Sequence, residues 1–464
     1  MKQFALFFFI FFSSLYAREN EFVPKNEVIV CDNGLEMLSW QLDFMREAKQ
    51  SIEAALCFAG GSVFQDILDV MEERLQKVPT LQIFVLLSPT FFTPEDKKRV
   101  QRLVKSYPYN FRVAYATCVA TLTPDISAYD NHIKMVVVDE TYFTAGGTNV
   151  HEALCSEGTY TPPSRDFGNS MANMMGAGAR DQDIVGRGEI AKQLRKIFYP
   201  NFCIWEKFNQ TGRIKIETSH FENCSYFQPL KQESPPFVSR FETSKEKIPL
   251  EEGQIELFFG GPHLSKKGWE HNPISKEYVK LIDGAQKEIL IGNLYICPIQ
   301  PIQDALLRAV NRGVKLIVIS NGVNENSPSF NDFFCWANRV SVAPLFYGRT
   351  FHLHEKKEAL SCPIKNTRVF EYNVHNMLYH KKVMIVDKKY LVIGSYNLGI
   401  KSHHYDYELV LKLENPNVIR QALKVYLKDV RCSLEVSPEQ AHYWYFDPIL
   451  SFKGESQKRI HALL

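Results

Sequence analysis

The chain repeats itself once, and that repeat constrains its fold more than any other feature. His132-Ile133-Lys134 is followed by Asp139 and then Gly146-Gly147-Thr148-Asn149. His380-Lys381-Lys382 is followed by Asp387 and then Gly394-Ser395-Tyr396-Asn397. His to Asp is seven positions and His to Asn is seventeen positions in both copies. Outside the motifs, Arg46 to Glu53 resembles Asp283 to Leu290 at an offset of 237, and Gln65-Asp66-Ile67-Leu68 resembles Gln303-Asp304-Ala305-Leu306. A period above 200 residues means two duplicated domains rather than a solenoid.

Within each copy, the apolar run after the Lys (Met135 to Val138, Val383 to Val386) predicts a buried strand. His and Lys two apart then lie on one face of that strand. Helix-period patterns such as Leu35, Leu38, Leu42 and Met45 alternate with short apolar strands such as Leu81 to Leu87 and Val314 to Ile319. That alternation predicts layered α/β domains. With 464 residues, 45% hydrophobic and 23% charged, the chain has material for two or three folded domains.

The doubled motif is not a composition effect. Thirteen His with 54 Lys+Arg and 52 Asp+Glu yield about 0.17 chance matches to His-x-Lys-x-x-x-x-Asp per chain. Two matches, each with Gly-x-x-Asn at the same spacing, resemble the HKD signature of the phospholipase D superfamily, and among its members the bacterial cardiolipin synthases in particular. Arg180-Asp181 with Asp183-Ile184-Val185, Gly188, Leu194, Phe198 and Trp205 resembles the segment those enzymes carry after their first motif. Gly261-Pro262, Leu294-Tyr295, Ala305-Leu306, Ala309 and Arg312-Gly313-Val314 fit the same family. The resemblance runs from about Asn33 to Cys432, with Lys401-Ser402, Asp406 and Glu408 where the family usually has Arg-Ser, Asn and Glu. It implies two α-β-α sandwich domains with mixed central sheets, related by a pseudo-two-fold axis. His132 and His380 then face each other across the interface.

The residue types suit attack on a phosphodiester. Such a substrate is an anion, so an attacking group gains when its oxygens are neutralised. Lys134 and Lys382 supply positive charge, and Asn149, Asn397 and Ser395 supply neutral donors. One imidazole can attack phosphorus while the other protonates the departing alkoxide. Each imidazole needs its other ring nitrogen held, commonly by a carboxylate. By the resemblance, Asp181 and Glu408 are those carboxylates, His132 is the nucleophile and His380 the acid. Asp139 and Asp387, at the far ends of their strands, are expected to form structural ion pairs. No cofactor and no metal are expected, because the chain has no C-x-x-C and no Cys/His cluster at zinc spacing.

The resemblance implies a phosphatidyltransferase or phospholipase D acting through a phosphohistidine. Its substrate is then a phospholipid at a membrane surface, with an alcohol or phosphatidylglycerol as acceptor. The alternative is a metal-independent phosphodiesterase or nuclease of the same superfamily. A formal charge of only +2 argues against nucleic acid, whose binding needs an excess of Lys and Arg. A monomer is expected.

Residues 1–17, with Lys2, an apolar run from Phe4 to Phe12 and small residues up to Ala17, predict a signal peptide and export to the periplasm, the membrane or beyond. The first motif domain is placed at 18–208, a polar linker at 209–253 and the second domain at 254–464, its aromatic tail packing back on it. Export allows disulfides among ten cysteines, with Cys203 and Cys224 the first pair to test. The Met/Gly-rich stretch from Ser170 to Ala179 reads as a loop.

Overall fold

The motif strands sit in the middle of two large mixed sheets. In the computed structural model the residues described are 25–116, 130–158, 178–211, 230, 235–322, 331–351, 363–374 and 377–461. The predicted signal peptide, Cys224 and nearly all of the Met/Gly-rich stretch lie outside them. The first sheet runs, edge to edge, Ile248–Leu250, Asn26–Cys31, Asp183–Gly188, Tyr142–Gly146, Lys134–Val138, Ser51–Gly60, Gln82–Ser88 and Phe111–Tyr115. The second runs Ile255–Gly260, Asp406–Leu413, Tyr390–Gly394, Lys382–Val386, Glu288–Asn293, Lys315–Asn321, Thr367–Tyr372 and Ser433–Val436. From the second strand of the first sheet and the first strand of the second, the two orders match strand for strand.

Each motif strand is antiparallel to both neighbours, and the strand on one side of it pairs in parallel with the next. Ser51–Gly60 pairs in parallel with Gln82–Ser88 and antiparallel with the motif strand Lys134–Val138. Glu288–Asn293 repeats this with Lys315–Asn321 and Lys382–Val386. Central strands covered on both faces read as continuous apolar runs, which is why Lys134–Val138 and Lys382–Val386 are buried at every position.

Helices close both faces. Gly34–Arg46, Gly61–Lys77 and Pro94–Ser106 bury Phe44, Phe64, Ile67 and Leu103 against the outer face of the first sheet. Asn33 caps the first of these by accepting from the Glu36 N–H, and Thr93 with Asp96 forms a capping box on the third. In the second domain Pro273–Gly284 and Gln300–Asn311 take the same position. The inner faces share one apolar cluster. It joins Val137, Phe143 and Ile184 to Ile385, Ile393 and Leu411, with Phe198 and Trp205 of helix Glu189–Thr211 and Ala422 and Tyr426 of helix Pro416–Arg431. The two domains are therefore halves of one core.

Short strands also cross the boundary. Asp130–Asn131 pairs in parallel with Asp406 and Tyr407, and Gly178–Arg180 pairs in parallel with Met377–Tyr379. Each domain lends one strand to the other, the reciprocity that a two-fold relation produces.

Two expectations need correcting. The stretch taken as a linker belongs partly to the first domain, because Ile248–Leu250 pairs with Asn26–Val28 and Phe241 packs edge-on against Trp40, Phe44 and Tyr142. Its apolar residues are few but aromatic, and a polar average hid them. Asp139 and Asp387 also do other work than ion pairing. Both, with Glu140 and Lys388, have φ of 52–53°, a pair of left-handed residues that turns the motif strand back in a hairpin. Asp139 accepts from the backbone N–H groups of Lys49, Gln50 and Ser51 at 2.7–2.8 Å. Asp387 does the same for Gln286, Lys287 and Glu288 at 2.8–2.9 Å. These are structural anchors, as expected, but their partners are backbone donors.

Cys203 is disulfide-bonded, to a partner outside the described residues. Among the described residues no helix is long and apolar enough to cross a membrane.

Bonds to a charged acceptor are the stronger kind, so Asp139→Ala, which strands three backbone donors, is expected to destabilise the protein by about 2–4 kcal/mol. Urea unfolding monitored by circular dichroism measures this, and a loss under about 0.5 kcal/mol would reject the anchoring role.

Candidate active site

The same strands that cross the domain boundary deliver the motif residues. Chain leaving Asp130–Asn131 enters His132 and then the strand carrying Lys134, while the strand paired with it continues into Glu408. Nδ1 of His132 lies 3.0 and 3.1 Å from the two carboxylate oxygens of Glu408. Chain leaving Met377–Tyr379 enters His380, and its partner strand Gly178–Arg180 runs into Asp181. Nδ1 of His380 lies 2.6 Å from Asp181 Oδ2. Each histidine is thus held by a carboxylate of the opposite domain, and all four groups are buried. The sequence pointed to both carboxylates; the crossing is a product of the fold.

The lysines complete the site from the same strand faces. Lys134 Nζ donates to the His132 carbonyl at 2.7 Å. Lys382 Nζ donates to the His380 carbonyl and lies 3.0–3.1 Å from that ring's nitrogens. The charge of Lys382 bears on His132, and that of Lys134 on His380 and Asp181, so both motifs act in one site.

Asn149 fixes its carbonyl on the Phe58 N–H at 3.2 Å, while its buried Nδ2 has no partner among the described residues. A buried amide donor left unmatched costs free energy unless a ligand accepts from it. Asn397 is held through its backbone N–H, which donates to Ser402 Oγ at 3.2 Å. Ser395 departs from its expected role, because its hydroxyl donates to Glu408 and is engaged in orienting the His132 dyad. The matching residue in the first half, Gly147, has no side chain for a reason. A Cβ there would lie 2.2 Å from Asp181 Oδ1.

Burial dominates the electrostatics. It drives the His132 imidazole well below its ordinary pKa, with Lys134 and Lys382 adding to the effect. It lowers His380 to about 4, where Lys382 adds and Asp181 opposes. Lys382 falls to about 7 by desolvation. Burial also pushes Asp181 up, but His380, Lys382 and Lys134 outweigh it and hold this carboxyl below the usual range. Glu408 goes the other way, raised to about 7 by burial despite Lys134. The two dyads are alike in geometry and unlike in charge.

Among the described residues, His132, Asp406 and Glu408 place ligand atoms within 4.8 Å of one another. Lys401 already supplies a cation there, 2.7 Å from Asp406 and 3.2 Å from Asp130.

Comparison with known proteins agrees with this geometry. A family profile described as cardiolipin synthase, PLD-like domain matches residues 278–430, which hold the second motif. The chain is similar to the phospholipase D superfamily, and to its cardiolipin synthases in particular. Within it, the cardiolipin synthase of Geobacillus kaustophilus is 23% identical over 314 residues, covering 67% of this chain and 48% of that protein. That of Alkalihalophilus pseudofirmus is 24% identical over 343 residues, 72% of this chain and 54% of that one. The chain spans about half the length of the curated relatives it matches. A solved phosphatidylserine synthase from Haemophilus influenzae shares the fold, with a TM-score of 0.61 at 14% identity over 94% of this chain and 95% of that chain.

Behind the superfamily motif lies a charge network the sequence reading missed. Arg180, fully buried beside Asp181, donates to Asp429 Oδ1 at 2.8 Å and to Asp32 at 2.6–2.7 Å. Lys381, beside His380, pairs with Asp429 Oδ2 at 2.6 Å. Asp429 therefore ties the neighbours of both members of the His380 dyad across the boundary. One signal was available: Asp429 continues the apolar stripe Val418, Ala422, Val425 and Tyr426 of its helix, an acid on a face that should be dry.

Asp429→Asn would leave Arg180 and Lys381 short of a buried counter-charge, at an expected stability cost of about 3–5 kcal/mol. Guanidinium unfolding of that variant beside Asp429→Ala tests it, and an unchanged midpoint would reject the clamp.

Proposed function

We propose that the protein transfers a phosphatidyl group between phospholipid and alcohol through a covalent phosphohistidine, as a cardiolipin synthase-like enzyme. The observation that carries this reading is the crossed pair of dyads, two imidazoles each tied at Nδ1 to a carboxylate of the opposite domain.

His132 is the nucleophile, because burial and three lysines keep it neutral, and only a neutral imidazole has a lone pair to give. Its Nε2 attacks phosphorus, forming an N–P bond as the bond from phosphorus to the leaving alkoxide breaks. His380 protonates that alkoxide. The ionised Asp181 at 2.6 Å stabilises an imidazolium at His380 better than Glu408, raised to about 7, does at His132. In the second half, neutral His380 takes the proton from an acceptor hydroxyl. The new alkoxide attacks phosphorus, and the N–P bond breaks. Lys134, Lys382 and the bare amide of Asn149 take up the negative charge on the equatorial oxygens.

The relatives carry the lipid assignment, since the two named cardiolipin synthases align across two-thirds or more of this chain. Export, and work at a membrane surface, belong to the same proposal.

Incubating the protein with phosphatidylglycerol is expected to yield cardiolipin and glycerol. Mostly phosphatidic acid would make it a hydrolase, and cleavage of DNA with neither lipid product would replace the reading with a nuclease. His380→Asn should spare turnover of a substrate with a good leaving group, which needs little proton donation, whereas His132→Asn should abolish turnover of every substrate. Equal losses in both variants on the activated substrate would overturn the division of roles.

Lys382 sets the alkaline side of the pH profile. Its pKa is depressed to about 7, so its positive charge is present below that value and lost as pH rises through it. The kcat/KM profile should therefore fall on the alkaline side with a midpoint close to pH 7. A profile flat from about pH 6 to 9 would contradict this assignment.

A further inference from the structure

Exposed large apolar side chains gather at the end of the described chain. Helix Pro448–His461 leaves Ile449 77%, Phe452 75% and Ile460 38% exposed, and Tyr443 on the preceding helix Pro438–Phe446 is 53% exposed. Positions 449, 452 and 460 fall on one helical face, three turns long. The opposite face is locked in place. Gly454 packs so closely on helix Asn331–Tyr347 that a Cβ would lie 2.4 Å from Val340 and 2.8 Å from the Trp336 carbonyl, and buried Gln457 accepts from the Ala337 N–H at 3.2 Å. The exposed residues are thus displayed by a fixed helix.

Its charge is basic, Lys453, Lys458 and Arg459 against Glu455. Glu455 is taken by Lys458 at 2.8 Å. Lys453, 4.5 Å over the Trp336 ring, and Arg459 stand exposed beside the apolar residues. Bulky apolar residues on one face with flanking cations are what an interfacial helix presents to anionic lipid.

A cavity lies behind this helix. It measures about 630 Å³ and is lined by Lys458 and Tyr445 on this side and by Ile400 and His404 on the other. Helix Ile400–His404 separates it from the catalytic centre, since Lys401 and Ser402 of the same turn bond Asp406 and the Asn397 N–H.

We propose that the outer face of helix Pro448–His461 docks the protein on an anionic phospholipid bilayer, with Ile449 and Phe452 inserted and Lys453 and Arg459 on the headgroups. The choice of a bilayer as occupant rests on the lipid-acting reading above. Docking here brings the bilayer beside the cavity and one short helix away from the catalytic residues.

The test is sedimentation of the full chain with vesicles of phosphatidylglycerol and phosphatidylcholine, and with vesicles of phosphatidylcholine alone. The parent should bind the anionic vesicles preferentially. Ile449→Asp with Phe452→Asp should lower the bound fraction by about tenfold or more, and Lys453→Glu with Arg459→Glu should remove the preference for anionic lipid. Turnover of a short-chain, monomeric phosphatidylglycerol separates this proposal from the one it rests on. The double aspartate variant should keep that turnover within about twofold while losing turnover of vesicle substrate. Parent-like vesicle binding by that variant, no vesicle binding by the parent, or a parent dimer that the variant splits would each overturn the docking surface. Vesicle binding through this face by a parent that turns over neither substrate would instead overturn the lipid-transfer reading alone.

Discussion

Each catalytic histidine candidate is oriented by a carboxylate from the other domain, and most of the architecture follows from that crossing. A dyad of 2.6–3.1 Å across a boundary demands that the boundary not slide. The parallel strand pairs at Asp130–Asn131 and Gly178–Arg180 hold it on either side of the site. The shared cluster beneath, from Val137 to Leu411, supplies the apolar burial that makes separation costly. Two ion networks then brace the two crossings. Arg180 binds Asp32 and Asp429 on one side, and Lys401 binds Asp130 and Asp406 on the other. Buried ion pairs add little net stability but penalise wrong registers heavily, which suits elements whose task is alignment. Neither domain alone contains a complete dyad.

The duplication supplies symmetry, and a few substitutions break it where the two roles must differ. Gly147 makes room for Asp181, whereas Ser395 at the matching position bonds Glu408. Asp181 Oδ1 has no donor among the described residues, and the carboxylate is held ionised by the histidine and lysines around it. Glu408 accepts from Ser395 and from His132 yet is raised by burial to about 7. A shared frame with unlike carboxylates suits the proposed division of two equivalent histidines into a nucleophile and an acid.

The spacing of the doubled motif made the two α/β domains, the buried motif strands and the candidate His, Lys and Asn positions legible in the sequence, because each depends on local pattern, whereas Asp181 and Glu408 were pointed to by the family resemblance. What escaped depends on long-range placement. Asp139 and Asp387 could be assigned a structural role from their strand-end positions, but their backbone partners lie about 90–100 positions away in the chain. Residues 248–250 form three positions of an edge strand, too short for any periodicity to reveal. Asp429 was visible only as a polar residue on an apolar stripe, and its meaning came from Arg180, 249 positions distant. Ser395 was read as a donor to substrate because the hydroxyl fits that role. Only the fold shows that Glu408 has claimed it.

In the proposed reaction, the low basicity of both histidines looks at first like an obstacle to acid catalysis, and the charge of a phosphodiester substrate would resolve it. In the free protein His380 sits at about 4 and would carry almost no proton at neutral pH. A bound phosphodiester places a negative charge beside it. At about 4 Å and an effective dielectric of about 20, a unit charge is worth about 4 kcal/mol, or about three pKa units. That is enough to bring His380 close to neutrality as an acid, and the same field returns the proton to Lys382, which titrates at about 7. On that proposal the cationic, proton-loaded state would be created by the ligand it serves. Without substrate the buried site keeps fewer charges and pays less desolvation. With substrate, the protons needed for departure of the alkoxide are in place as the phosphate arrives.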